Sequence, residues 1–191
     1  MSLFEQIELQ KSSLSGSKLQ ALEQFLSKGF PTKKDEEYKY TNLKEIVEKE
    51  YNFSPSEHHS ITKKQLEELH LGEEHFDFIV FVNGKLHREL SNISVENAEF
   101  LTLNYALSHE SYSEIIKNHF NTIANQDLAF CNLNEALHEN GFFLLVPKNV
   151  VIEKPIHVFY LSQNQEENTF YNTRNLLVVE EGAKVEVIES H

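Results

Sequence analysis

The feature that most limits the fold is a change of hydrophobic period along the chain. Apolar spacing of about 3.6 governs the first part, whereas short alternating or wholly apolar runs govern the C-terminal stretch. Phe142 to Val146, Val150 to Ile152, Ile156 to Leu161, Phe170 to Tyr171, Leu176 to Val179 and Ala183 to Ile188 read as β segments. Pro147, Pro155 and Gly182 punctuate them, and Ser162 to Asn168 is a polar connection. So many short strands in so little chain fit a sandwich, a barrel or the opening coils of a solenoid. No fixed-period repeat chooses among the three. The fold class expected is α+β.

Upstream, Leu19, Leu22, Phe25 and Leu26 fall on one helical face after Ser17, and Gly29 followed by Pro31 stops that helix. Shorter helices are expected over Asn42 to Lys49 and Thr62 to Leu69, and again over Ser111 to His119 and Gln126 to His138. Between Phe78 and His87 the spacing predicts a hairpin, because Asn83-Gly84 suits the positive φ angles of a type I′ turn. The last strand, around Val185 to Glu189, would leave a pairing edge two residues before the chain stops.

Charge and length narrow the partners. The 191 residues carry a formal charge of -13, which disfavours an electrostatic grip on nucleic acid or an anionic membrane face. The longest apolar runs, Phe78 to Val82 and Phe142 to Val146, fall far short of the roughly 20 residues that span a bilayer. Met1-Ser2-Leu3-Phe4 has neither a basic start nor an apolar core, so a cytoplasmic location is expected.

The search for chemistry yields no catalytic, cofactor-binding or metal-ligating set. His58-His59, His70, His75, His87, His109, His119, His138 and His157 lack the three- or four-residue spacing that puts ligands on one helix face. Asp35, Glu36 and Glu37 have no partner base or nucleophile and read as a solvated acidic turn. Cys131, the single cysteine, sits in a helical pattern and cannot alone hold zinc or a cluster. Phosphate-cradling glycine motifs and a nucleophile elbow are absent. The densest segment runs from Gly29 to Leu43, where Tyr38 and Tyr40 are expected to anchor on the first helices and Thr41 or Asn42 to cap the next one.

That segment, Gly-Phe-Pro-Thr-Lys-Lys-Asp-Glu-Glu-Tyr-Lys-Tyr-Thr-Asn-Leu, resembles the N-terminal region of the SufB/SufD family of iron–sulfur cluster assembly proteins, with Tyr38 where the pattern usually has tryptophan. Further matches keep family order: Phe81-Val82-Asn83-Gly84, Asn132-Leu133-Asn134 with Ala136 before Asn140-Gly141, Pro147 through Pro155-Ile156, and Arg174-Asn175-Leu176 leading to Glu181-Gly182-Ala183. One cysteine places the resemblance on the SufD side of the family. The resemblance implies a helical and mixed N-terminal domain over residues 1–140, then the first coils of a right-handed parallel β-helix over residues 141–191. It also implies a longer parent protein and a non-enzymatic role in the SufBCD scaffold, linked to iron acquisition. The implied partners are SufB-like and SufC-like (ATPase) proteins. Any cluster is handled by the full complex and none by this chain, and self-association through an uncovered coil is expected. The interface histidines, cysteine and SufC-binding helices of the family lie beyond this stretch, so no site residue carries over. The alternative from another class is a small cupin-like or jelly-roll metal-binding enzyme.

Overall fold

The computed structural model describes residues 1–54, 60–66, 76–124, 127–163 and 168–191. In chain order the elements are α1 (Leu3–Leu9), α2 (Gly16–Lys28), α3 (Lys44–Val47), α4 (Lys63–Leu66), β1 (Asp77–Val82), β2 (Lys85–Leu86), β3 (Glu99–Thr102), α5 (Leu103–Ser108), α6 (Ser113–His119), α7 (Ala129–Leu137), β4 (Phe142–Val146), β5 (Ile156–Leu161), β6 (Leu176–Val179) and β7 (Val187–Ser190). They group into two compact units: Met1–Pro55, Asn121–His138 and Gln165–Asn172 form one, and Ser56–Phe120, Glu139–Asn164 and Thr173–His191 form the other. Each unit is therefore assembled from stretches distant in sequence.

In the first unit, α1 starts at a reciprocal cap. Ser2 N–H donates to Glu5 Oε2 at 2.8 Å and Glu5 N–H donates to Ser2 Oγ at 3.4 Å. Leu3 and Ile7 of α1, Ala21, Leu22 and Phe25 of α2, and Leu133 and Ala136 of α7 bury together as one core. The helix expected after Ser17 is α2, and it ends at Gly29, whose φ of 75° follows the left-handed route that glycine takes at low cost. The segment expected as a helix to Lys49 turns helical only over Lys44–Val47. Helix α7 begins at Ala129 rather than near Gln126, because Leu128 is extended at φ -81° and ψ 125°. Phe170 stacks on Phe53 with ring centroids 4.5 Å apart, and the expected strand there reduces to a single parallel bridge between Asn52 and Thr169.

The second unit carries both sheets, ordered β2-β1-β5-β7 and β3-β4-β6. The hairpin forms as its sequence requires: Phe81 pairs with Leu86 and Val82 with Lys85, around Asn83 at φ 47° and Gly84 at φ 78°. Strand β3 pairs antiparallel with β4, whereas β1 with β5, β4 with β6 and β5 with β7 pair parallel. Phe143 faces Leu176 and Val146 faces Val179, thirty-three residues on, while Ile156 faces Val187 and Phe159 faces Ser190, thirty-one residues on. The expected strand at Val150 to Ile152 is a bridge from Val151 to Lys184, in the same parallel sense. The final strand lies at Val187–Ser190, later than expected, because Ala183 N–H closes a turn onto Glu180 O at 3.0 Å.

Strand β4 is buried on both faces, and alternation divides its side chains between two cores. Phe142, Leu144 and Val146 pack with Ile79, Phe81, Ile156, Val158 and Tyr160, whereas Phe143 and Leu145 pack with Leu103, Ala106, Ile116, Leu176 and Val178. The architecture is thus α+β with mixed sheets. Among the described residues no sheet closes into a barrel. No described helix is long and apolar enough to cross a membrane.

Candidate interaction surface

The stretch after α2 is ordered by short-range bonds and by aromatic wedges. Phe30 meets Phe25 edge-on at 5.0 Å and Phe130 at 6.0 Å, which fixes the exit from α2 against α7. Asp35 Oδ2 then accepts from Thr32 N–H at 2.7 Å and from Thr32 Oγ1 at 3.1 Å. These bonds hold the Asp35 carboxyl below the usual carboxylate range. A short 3₁₀ turn, Glu36–Tyr38, brings the Tyr38 ring to 5.7 Å from Phe130. Thr41 N–H donates to Tyr38 O at 2.9 Å, and the Asn42 side chain accepts from Lys44 N–H at 3.3 Å, so Asn42 supplies the side-chain oxygen ahead of α3.

The fold-back leaves a pocket of about 260 Å³ between the start and the end of the segment. Half-buried Phe30, Pro31, Leu43 and Val47 form its apolar part, and Lys33 and Lys44 stand in its wall without any carboxylate in the lining. Tyr40 departs from the expectation that it would pack on the helices. It is 92% exposed, and Lys39 Nζ lies 5.6 Å from its ring centroid. The turn that seats Tyr38 directs the side chain two positions later into solvent, so only one tyrosine is an anchor.

Among the described residues the candidate ligands do not converge. His87 Nδ1 bonds Glu89 at 2.9 Å, His109 Nδ1 accepts from Ser111 N–H at 3.3 Å, His138 Nδ1 donates to the Glu135 carbonyl at 3.0 Å, and His157 Nε2 bonds Ser190 Oγ at 2.8 Å. His119 closes α6 in its last turn. His58, His59, His70 and His75 lie outside the described residues. Among the described residues no group of three or more His, Cys, Asp or Glu could hold a metal ion. Cys131 is a half-buried free thiol on α7. Glu36 sits 3.9 Å from Lys39 at the surface, and Glu37 is exposed beside it, as a solvated acidic turn would be. Sequence reasoning did not foresee the pocket. Its signal was an apolar pair at each end of the segment, Phe30-Pro31 and Leu43 with Val47, each pair beside a lysine.

The described residues thus form an α+β chain with parallel pairing across thirty-odd residues and a surface pocket after α2. Residues 5–158 match the SufBD protein N-terminal region, and the chain belongs to the SufBD family. It is similar to an iron–sulfur cluster assembly SufBD family protein of Synechocystis sp., 28% identical over 161 residues that cover 84% of this chain and 35% of the relative. A protein of the same description from Staphylococcus aureus is 26% identical over 157 residues, covering 78% of this chain and 32% of the relative. Another from Staphylococcus saprophyticus is 31% identical over 77 residues, covering 40% and 16%. The chain spans about a third or less of the length of these curated relatives.

Proposed function

We propose that this chain is the N-terminal portion of a SufD-like component of the SufBCD scaffold, which assembles iron–sulfur clusters with SufB-like and SufC-like (ATPase) partners and has no turnover of its own. The observation that carries the reading is the match of residues 5–158 to the SufBD N-terminal region. A single cysteine supports the SufD side over the SufB side. On this reading the chain itself holds no cluster: it has a single thiol, and among the described residues no group of His, Cys, Asp or Glu could supply a coordination shell.

The fold reading that goes with this function is a parallel β-helix beginning at about residue 141. Parallel registers separated by thirty-one and thirty-three residues support it, since stacked coils of a solenoid pair each strand with the one a full coil later. Among the described residues β6 and β7 end their sheets, and each presents an edge on which a further coil could pair.

Cluster reconstitution with purified partners tests the function. Iron, sulfide and the SufB-like and SufC-like proteins are combined with or without the full-length protein, and cluster formation is followed by visible absorption. A higher cluster yield with the full-length protein, and no chromophore on this chain alone, is the expected result. Equal yields with and without it, or a stoichiometric cluster on this chain alone, would contradict the reading.

A further inference from the structure

The pocket beside α3 has the chemistry of a peptide anchor. At about 260 Å³ it is smaller than the roughly 300–1,000 Å³ of most small-molecule sites, and it has room for one large apolar side chain. Buried anchors of this type carry most of the energy of peptide and protein contacts. Charge then selects the occupant. The chain as a whole carries -13, yet the pocket lining contains Lys33 and Lys44 and no acidic residue. The Lys33 ammonium has no hydrogen bond or ion pair among the described residues. Among the described residues the Lys44 ammonium pairs only with Glu48, at 3.8 Å, in an exposed pair of the kind worth little. Ile46, 49% exposed on α3, adds a further apolar contact nearby. A second copy brings another -13 against the chain's own -13, whereas a short segment of few charges meets far less repulsion and pairs its carboxylates with the two lysines at contact range.

We infer that this pocket docks an acidic segment of a partner protein that inserts one large apolar side chain between Phe30 and Val47 and sets carboxylates against Lys33 and Lys44. The inference concerns this pocket alone and stands whether or not the scaffold reading holds. The probe is a synthetic peptide, Asp-Glu-Leu-Phe-Asp-Glu, titrated into the isotope-labelled chain at low chain concentration while amide resonances are followed by NMR. The expected result is saturable shifts confined to Phe30 to Lys33 and Thr41 to Val47, weakened by salt. With Lys33→Glu and Lys44→Glu combined, affinity should fall about tenfold or more. Both lysines are exposed, so the variant keeps a folded spectrum, and Lys33→Gln with Lys44→Gln gives an intermediate loss. Shifts absent from these residues, equal shifts with a Lys-Lys-Leu-Phe-Lys-Lys peptide, or the same shifts produced by raising chain concentration without peptide would each overturn the inference.

Discussion

The Tyr160 hydroxyl on β5 donates a 3.0 Å hydrogen bond to Glu189 Oε1 on the neighbouring parallel strand β7. The same hydroxyl accepts from Asn175 Nδ2, and Asn175 Oδ1 accepts from Phe142 N–H at 3.1 Å, so one polar chain links β4, β5 and β7. Stacking reinforces it, with Phe81 5.2 Å from the Tyr160 ring and His191 4.6 Å away on near-parallel planes. A polar chain of this kind, running from buried Tyr160 through half-buried Asn175 to exposed Glu189, pins strand register, since a one-residue slip would separate the partners. Tyr160→Phe should cost about 1 kcal/mol, because it leaves the half-buried Asn175 amide short of a partner while exposed Glu189 turns to water. Urea denaturation of the two proteins checks this, and an unchanged midpoint would mean that the network does not hold the register.

His157 gives a pH dependence. Burial lowers its pKa from the ordinary 6.5, with the ring 3.8 Å from Phe159. A depressed value means that the stabilising contribution is fully present above about pH 6.5 and is lost as pH falls through the lower folded value. The wild-type chain should therefore lose more stability than His157→Gln on going from about pH 7.5 to about pH 5.5. Parallel denaturation curves of the two at both pH values decide it, and an equal loss would remove His157 as the cause.

The two tyrosines of the Gly29 to Leu43 segment should separate cleanly. Tyr38→Ala removes a ring 5.7 Å from Phe130 and should destabilise by about 1–2 kcal/mol, below the range for a fully buried aromatic. Tyr40→Ala alters a side chain that is 92% exposed and should stay within about 0.5 kcal/mol of wild type. Thermal melts of the pair provide the comparison, and a larger loss for Tyr40→Ala would restore the packing role first expected for it.

Much of the fold was legible because its signals are local. Asn83-Gly84 specifies its turn by backbone conformation alone, and the apolar runs of β4, β5 and β6 match their expected bounds, with β4 buried throughout, β5 largely buried and β6 alternating between buried and exposed. Strand β3 and helix α5 escaped notice, since Glu99 to Thr102 alternates weakly and becomes a strand by pairing antiparallel with β4. Tyr40 failed for a related reason: aromatic identity signals burial on average, but the turn that carries it decides its direction. The pocket depends on two apolar pairs meeting after a fold-back, and only the three-dimensional path brings them together.

Gly141 marks where two segments meet too closely for any side chain. A Cβ there would lie 1.6 Å from the Arg174 carbonyl oxygen, beside the parallel bridge between Asn140 and Thr173. Gly141→Ala should therefore destabilise by about 3 kcal/mol or more, since backbone cannot yield as a flexible side chain would. Chemical denaturation measures it, and a loss below about 1 kcal/mol would show that the two segments part easily.

The proposed role is that of a SufD-like component acting in an assembly with SufB-like and SufC-like proteins. Native mass spectrometry of the full-length protein mixed with SufB-like and SufC-like proteins tests it most directly. The account expects a defined complex containing all three chains, lost when the full-length protein is omitted. A mixture in which the SufB-like and SufC-like proteins assemble together while the full-length protein remains apart at every concentration would contradict it.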